Sequence, residues 1–131
     1  MRQGTYQFFG ERAQGLTLYV AQLGWLHATP KGNAKNRMAG YLDRAMPLPL
    51  PDLDPDEYML ELMMELGPVR STGEGLTATD WPVVAAFAGV KGLDHHDTST
   101  LAAMCRAYFD ELQAAESPLR IPPIDRTELD G

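Results

Sequence analysis

The sequence predicts a mainly α fold, a small helical domain with a Pro-rich connector and an extended C-terminal tail. Several runs place apolar residues three and four apart, the helical period. Capping residues, prolines and glycines punctuate those runs where helices start and stop. The size fits as well: 131 residues, 44% hydrophobic and 22% charged, make one compact core rather than two marginal ones.

Residues 1–46 form an N-terminal basic segment, read as helical. Leu16, Tyr19, Val20, Leu23 and Leu26 fit a helix, although Leu16, Leu18 and Val20 also fit a strand and Gly24 weakens either reading. Residues 34–45 favour the helix, because Met38, Tyr41, Leu42 and Ala45 share one helical face. Residues 47–53 are the connector. Its alternating prolines, Pro47, Pro49 and Pro51, hold the backbone extended and remove donors. A stiff spacer is the plain reading, and a ligand for an aromatic groove is the sharper one.

Residues 54–116 read as a three-helix core. The first helix opens with Asp54 as cap, Pro55 in its first turn and Glu57 closing a capping box. Tyr58, Leu62, Met63 and Leu66 share a face before Gly67-Pro68 ends it. Residues 70–75 read as a polar loop, without the Gly-Lys-Ser/Thr ending of a phosphate-binding loop. The second helix opens at Thr79 or Asp80, with Trp81-Pro82 in its first turn, and carries Val83, Val84, Phe87 and Ala88 toward Gly89. The third, capped by Asp97 or Thr98, bears the clearest stripe: Leu101, Met104, Cys105, Tyr108 and Leu112. Ser117-Pro118 stops it, and residues 117–131, with Pro122-Pro123, read as an extended tail.

Charge and chemistry narrow the function classes. The net charge is −7, but residues 1–46 hold six basic and two acidic residues, and residues 47–131 hold five and sixteen. An acidic half repels phosphate, and six dispersed basic residues read as solvated surface, so no nucleic-acid partner is expected. No run reaches the roughly 20 apolar residues of a membrane span, and Arg2 is followed by polar residues and only Phe8-Phe9, so neither a membrane nor a cleavable leader is expected. One cysteine, Cys105, fits a reducing cytoplasm.

Asp94-His95-His96-Asp97 holds the right residue types for zinc or iron, yet adjacent side chains rarely converge on one ion, and His27 is far away in sequence. A polar loop whose aspartate caps a helix accounts for them. Cys105 sits on an apolar stripe, where cysteine acts as a small hydrophobe. The pairs Asp110-Glu111 and Glu61/Glu65 read as solvated helix faces. No catalytic residue, metal site or cofactor is expected, and the chain reads as a non-enzyme.

One segment carries a family resemblance. Residues 58–62 (Tyr-Met-Leu-Glu-Leu) precede the polar loop 70–76. The Trp-led run 79–87 follows, and Arg106-Ala107-Tyr108 closes the pattern. This order resembles phage tail assembly chaperones, small proteins encoded near the tape-measure gene of long-tailed phages. The likeness spans 54–112. The turn 90–97 departs from the family's pattern, and residues 1–46 have no counterpart in it. The resemblance implies a non-enzymatic protein of the bacterial cytoplasm that binds the tape-measure or tail tube protein during assembly, with homo-oligomerisation left open. It places partner contacts at Tyr58, Met59, Met63, Trp81 and Phe87. The alternative is a small phage-encoded protein that binds and regulates a host protein.

Overall fold

The computed structural model describes the backbone of residues 2–52 and 57–130, and the side chains of 13–52 and 57–126. The described residues form six helices and one two-stranded sheet: α1 (Arg2–His27), α2 (Arg37–Asp43), α3 (Glu57–Leu66), β1 (Val69–Thr72), β2 (Gly75–Ala78), α4 (Trp81–Lys91), α5 (His95–Ala114) and α6 (Pro123–Asp130). The fold is mainly α, and none of the described helices is long and apolar enough to cross a membrane.

The core is not confined to residues 54–116. Its most extensive contact joins α1 to α5. Leu16, Val20 and Leu23 of α1 meet Leu101, Met104, Cys105 and Tyr108 of α5, with Met59 and Met63 of α3 and Val84 of α4 completing the cluster. Each such side chain, moved from water to full burial, stabilises the fold by about 1.5–3 kcal/mol. The spacing 16, 20, 23 explains why helix wins over strand: a strand would turn Val20 and Leu23 to opposite faces. Gly24 weakens the helix by propensity but permits its packing, because a Cβ there would lie 2.6 Å from the Tyr108 carbonyl oxygen.

Local chemistry sets the ends. Asn36 caps α2 by accepting from the Ala39 amide at 2.9 Å, and that helix is shorter than residues 34–45, stopping at Asp43 with Ala45 at a left-handed φ of 54°. Leu50 of the connector packs against both apolar clusters, so the segment is anchored as well as stiff. The expected cap at Asp54 and Pro55 lies outside the described residues. Gly67, at φ 88°, ends α3 as its position before a proline suggests.

Residues 70–75 correct the loop reading. Val69 pairs with Ala78 and Thr72 with Gly75 in an antiparallel hairpin turning through Gly73-Glu74. The Thr72 hydroxyl donates to the Gly75 carbonyl at 2.9 Å and accepts from the Glu74 amide at 3.2 Å. A hairpin satisfied by its own ladder needs no buried face, so apolar alternation is absent.

Asp80 is the N-cap of α4, with its side chain turned to Arg70 at 3.4 Å. The helix runs past Gly89 to Lys91 and ends on Gly92 at φ 72°. For α5 the cap is Asp94, three residues earlier than expected: its carboxylate accepts from the Asp97 amide at 2.8 Å, drawing His95 and His96 into the first turn.

The C-terminal segment corrects the extended-tail expectation. Trp25 Nε1 donates to the Arg120 carbonyl at 2.9 Å, the Lys31 amide to that of Glu116 at 2.8 Å, and the Ile124 amide to Gln22 Oε1 at 3.3 Å. Pro123 then begins α6, a first-turn position that proline suits. Glu111, only 4% exposed, receives Arg120 at 3.2 Å and Arg126 at 2.7 Å. This corrects its reading as a solvated carboxylate: Glu111 follows Met104 and Tyr108 by seven and three residues, on the buried side of α5.

Candidate partner-binding surface

Several large apolar side chains of α3, the hairpin and α4 are exposed, as are Leu42, Met46, Leu119 and Ile121 elsewhere in the chain. Tyr58 is 44% exposed, Met64 54%, Leu76 49%, Trp81 48% and Val90 86%. Local geometry explains the presentation. Trp81 is the first residue of α4, ahead of Pro82, where a side chain points back beyond the helix's own packing face. Leu76 lies on the hairpin, which packs inward only at its base, through Val69 and Ala78. Met64 follows buried Met63 and so turns about 100° off the packed stripe.

Ion pairs tie these elements to one another. Lys91 on α4 bridges to Glu65 on α3, and its ammonium lies 5.7 Å from the Phe87 ring centroid. Arg70 on β1 bridges to Asp80 before α4. Glu57, Glu61, Glu74 and Asp80 on the same elements are exposed.

The five expected contact residues divide. Tyr58 and Trp81 reach solvent. Phe87 is half-buried against the main cluster beneath Lys91. Met59 and Met63 are corrections: both are fully enclosed, at 0% exposure, and pack the core rather than a partner. They lie one turn apart on the inner face of α3, which a soft methionine fills well. Met64, Leu76 and Val90 were missed. Met64 was legible as the methionine off the helical stripe, and Leu76 and Val90 required the hairpin and the extended α4.

The groups with chemical potential are quiet. Cys105 has no exposure, and burial pushes its thiol up to about 11, which removes the thiolate a nucleophile needs. The exposed His95 and His96 rings lie 6.3 Å apart in the first turn of α5. Among the described residues no three His, Cys, Asp or Glu side chains are placed to share a metal ion. His27 Nδ1 and the Tyr108 hydroxyl share a hydrogen bond of 2.6 Å, and burial lowers the His27 pKa while raising that of Tyr108. That pair joins α1 to α5 with both groups neutral near pH 7. Trp81 and Val90 lie nine residues apart on α4 and so point to opposite sides of it, which makes these exposed side chains separate contact points rather than one patch.

No family model, curated protein or solved structure matches the chain.

Proposed function

We propose that the chain is a non-enzymatic phage tail assembly chaperone or tail protein that binds the tape-measure protein during tail morphogenesis in the bacterial cytoplasm. The observation that carries the reading is the exposure of Tyr58, Met64, Leu76, Trp81 and Val90 within the segment whose sequence resembles that family. Apolar helices bind to such surfaces by placing side chains at helical spacing between exposed rings and thioethers. Large aromatic anchors supply most of the affinity at a typical interface, which assigns the leading roles to Trp81 and Tyr58. The exposed carboxylates on the same elements keep the loaded complex soluble and favour a partner helix flanked by basic residues.

A pull-down of tagged protein from phage-producing cells, read by mass spectrometry, tests this. Recovery of the tape-measure or tube protein, lost when Trp81→Ala and Tyr58→Ala are combined, is the expected result. Recovery of a single host protein in its place moves the reading to a host regulator.

A further inference from the structure

A second feature shares no residue with that surface. The end of α1, the loop after it and the short α2 enclose an open cavity of about 590 Å³, lined by Trp25, Tyr41, Lys35, Arg37, Arg44 and Asp43 among others. That volume is within the range of ligand pockets and takes a few residues of peptide. Residues 25–44 hold four basic residues, Lys31, Lys35, Arg37 and Arg44, against Asp43 alone, in a chain whose net charge is −7. The cavity therefore lies in the one basic stretch of an acidic protein.

The cations are positioned rather than merely present. Arg37 stacks over the Trp25 ring at 4.5 Å, fixed by donation to the Trp25 carbonyl at 3.0 Å and the Ser117 carbonyl at 2.9 Å. Both acceptors are neutral, and among the described residues no carboxylate pairs with it. Burial pulls the Arg37 pKa below its ordinary value, while the charge of Glu111 pulls it back up. Arg44 donates through Nε to the Gly40 carbonyl at 3.1 Å and lies 5.9 Å from the Tyr41 ring. Lys35 meets Asp43 at 3.3 Å in an exposed pair, of the kind that exchanges readily for another carboxylate. Trp25 is only 8% exposed and lies under Arg37, so the accessible ring is Tyr41; one ring beside three cations suits carboxylates flanking an apolar side chain.

The geometry points to a binding site for an acidic peptide segment of a partner protein, its carboxylates on Arg37, Arg44 and Lys35 and an apolar side chain against Tyr41, with buried Trp25 as the floor beneath Arg37. Charge complementarity selects the occupant: a basic peptide meets Arg37 and Arg44 beside the Lys35–Asp43 pair, and a purely apolar one leaves the two arginines without a carboxylate.

The test uses the full chain carrying Trp81→Phe, so that Trp25 is the remaining tryptophan. Its fluorescence is followed during titration with an alternating Glu/Leu hexapeptide at low salt, with the Lys/Leu peptide as control. The expected result is a saturable change with a Kd below about 1 mM. Binding weakens at least about tenfold in Lys35→Glu/Arg44→Glu and in about 0.3 M salt. Both substituted side chains are exposed, and an unchanged melting curve shows that the variant is folded. The proposal is overturned by no saturable change, by equal binding to the double variant, or by the Lys/Leu peptide binding as well. Inorganic phosphate displacing the peptide at equal concentration marks a small-anion site and also overturns it. So does sedimentation showing that a second copy of the chain fills the cavity.

Discussion

Replacing Gly24 by alanine tests the packing account most sharply, because two effects of opposite sign meet at one methyl group. The added Cβ would lie 2.6 Å from the Tyr108 oxygen and 3.2 Å from the Leu112 nitrogen, both backbone atoms of α5. Ordinary contact begins near 3.4 Å, so α1 and α5 must part by roughly 0.8 Å, enough to forfeit a quarter to a half of the dispersion attraction along the seam. Overpacking typically costs about 1–3 kcal/mol, and backbone obstacles put this site at the upper end. Alanine returns about 1 kcal/mol of helix propensity. The net loss is about 2 kcal/mol, a fall in Tm of about 8 °C for a chain of this size. Gly15 provides the control: it lies on the same helix with nothing within 4 Å of an added Cβ. Gly15→Ala therefore stabilises by up to about 1 kcal/mol. Paired thermal melts by circular dichroism read both. A Gly24→Ala protein as stable as Gly15→Ala would refute the close crossing of α1 and α5.

Three further outcomes follow from buried polar groups. Glu111→Ala leaves Arg120 and Arg126 without their carboxylate, but both are about one-third exposed and can turn to water; a loss of about 1–3 kcal/mol is expected, with faster tryptic cleavage at both arginines. Unchanged cleavage would show that Glu111 does not hold α6. Stability also depends on His27. Its folded pKa is lowered from 6.5 by burial, so below that value the unfolded chain binds the extra proton first. The His27 contribution is therefore fully present above about pH 6.5 and is lost as pH falls toward the folded pKa. Urea midpoints should fall between about pH 7.5 and 5.5, and fall less in His27→Gln; equal falls would contradict the burial argument. Cys105, with its thiol near 11, should resist iodoacetamide at about pH 8 in the folded protein and react once urea unfolds it. Rapid labelling of the native protein would mean that the α5 stripe opens.

Sequence reasoning reached those elements whose signals are local. The α5 stripe from Leu101 to Leu112 needed only its period, and Asp80-Trp81-Pro82 and Gly67-Pro68 marked helix ends by backbone chemistry alone. It failed where the deciding partner is distant in the chain. Nothing near Gly24 announces Tyr108, and Glu111 looks like any helix carboxylate until Arg120 and Arg126 fold back on it. The tail was read as extended because its prolines were weighed and its docking onto Gln22 and Trp25 was invisible. Asp94 displaced Asp97 as a cap because its carboxylate reaches the Asp97 amide, a choice between neighbouring aspartates that spacing leaves open. Tyr58 and Trp81, placed at a partner contact by the resemblance, are exposed, whereas residue type alone favours burial of Trp81 against α5. Met59 and Met63 were misplaced because methionine serves core and interface alike, and only their position one turn apart on the packed face of α3 decides between them.

The proposed function holds that the exposed apolar side chains of residues 57–91 keep a long apolar partner in solution. Coexpression of the chain with a phage tape-measure protein tests that proposal most directly, read as the fraction of tape-measure protein that stays soluble and copurifies. The expected result is solubilisation by the native chain and its loss with Tyr58→Ala/Trp81→Ala. Because both side chains are nearly half exposed, that variant should melt close to the native protein while binding at least about thirtyfold more weakly. Tape-measure protein that remains insoluble beside the native chain, or equally soluble beside the double variant, would contradict the account.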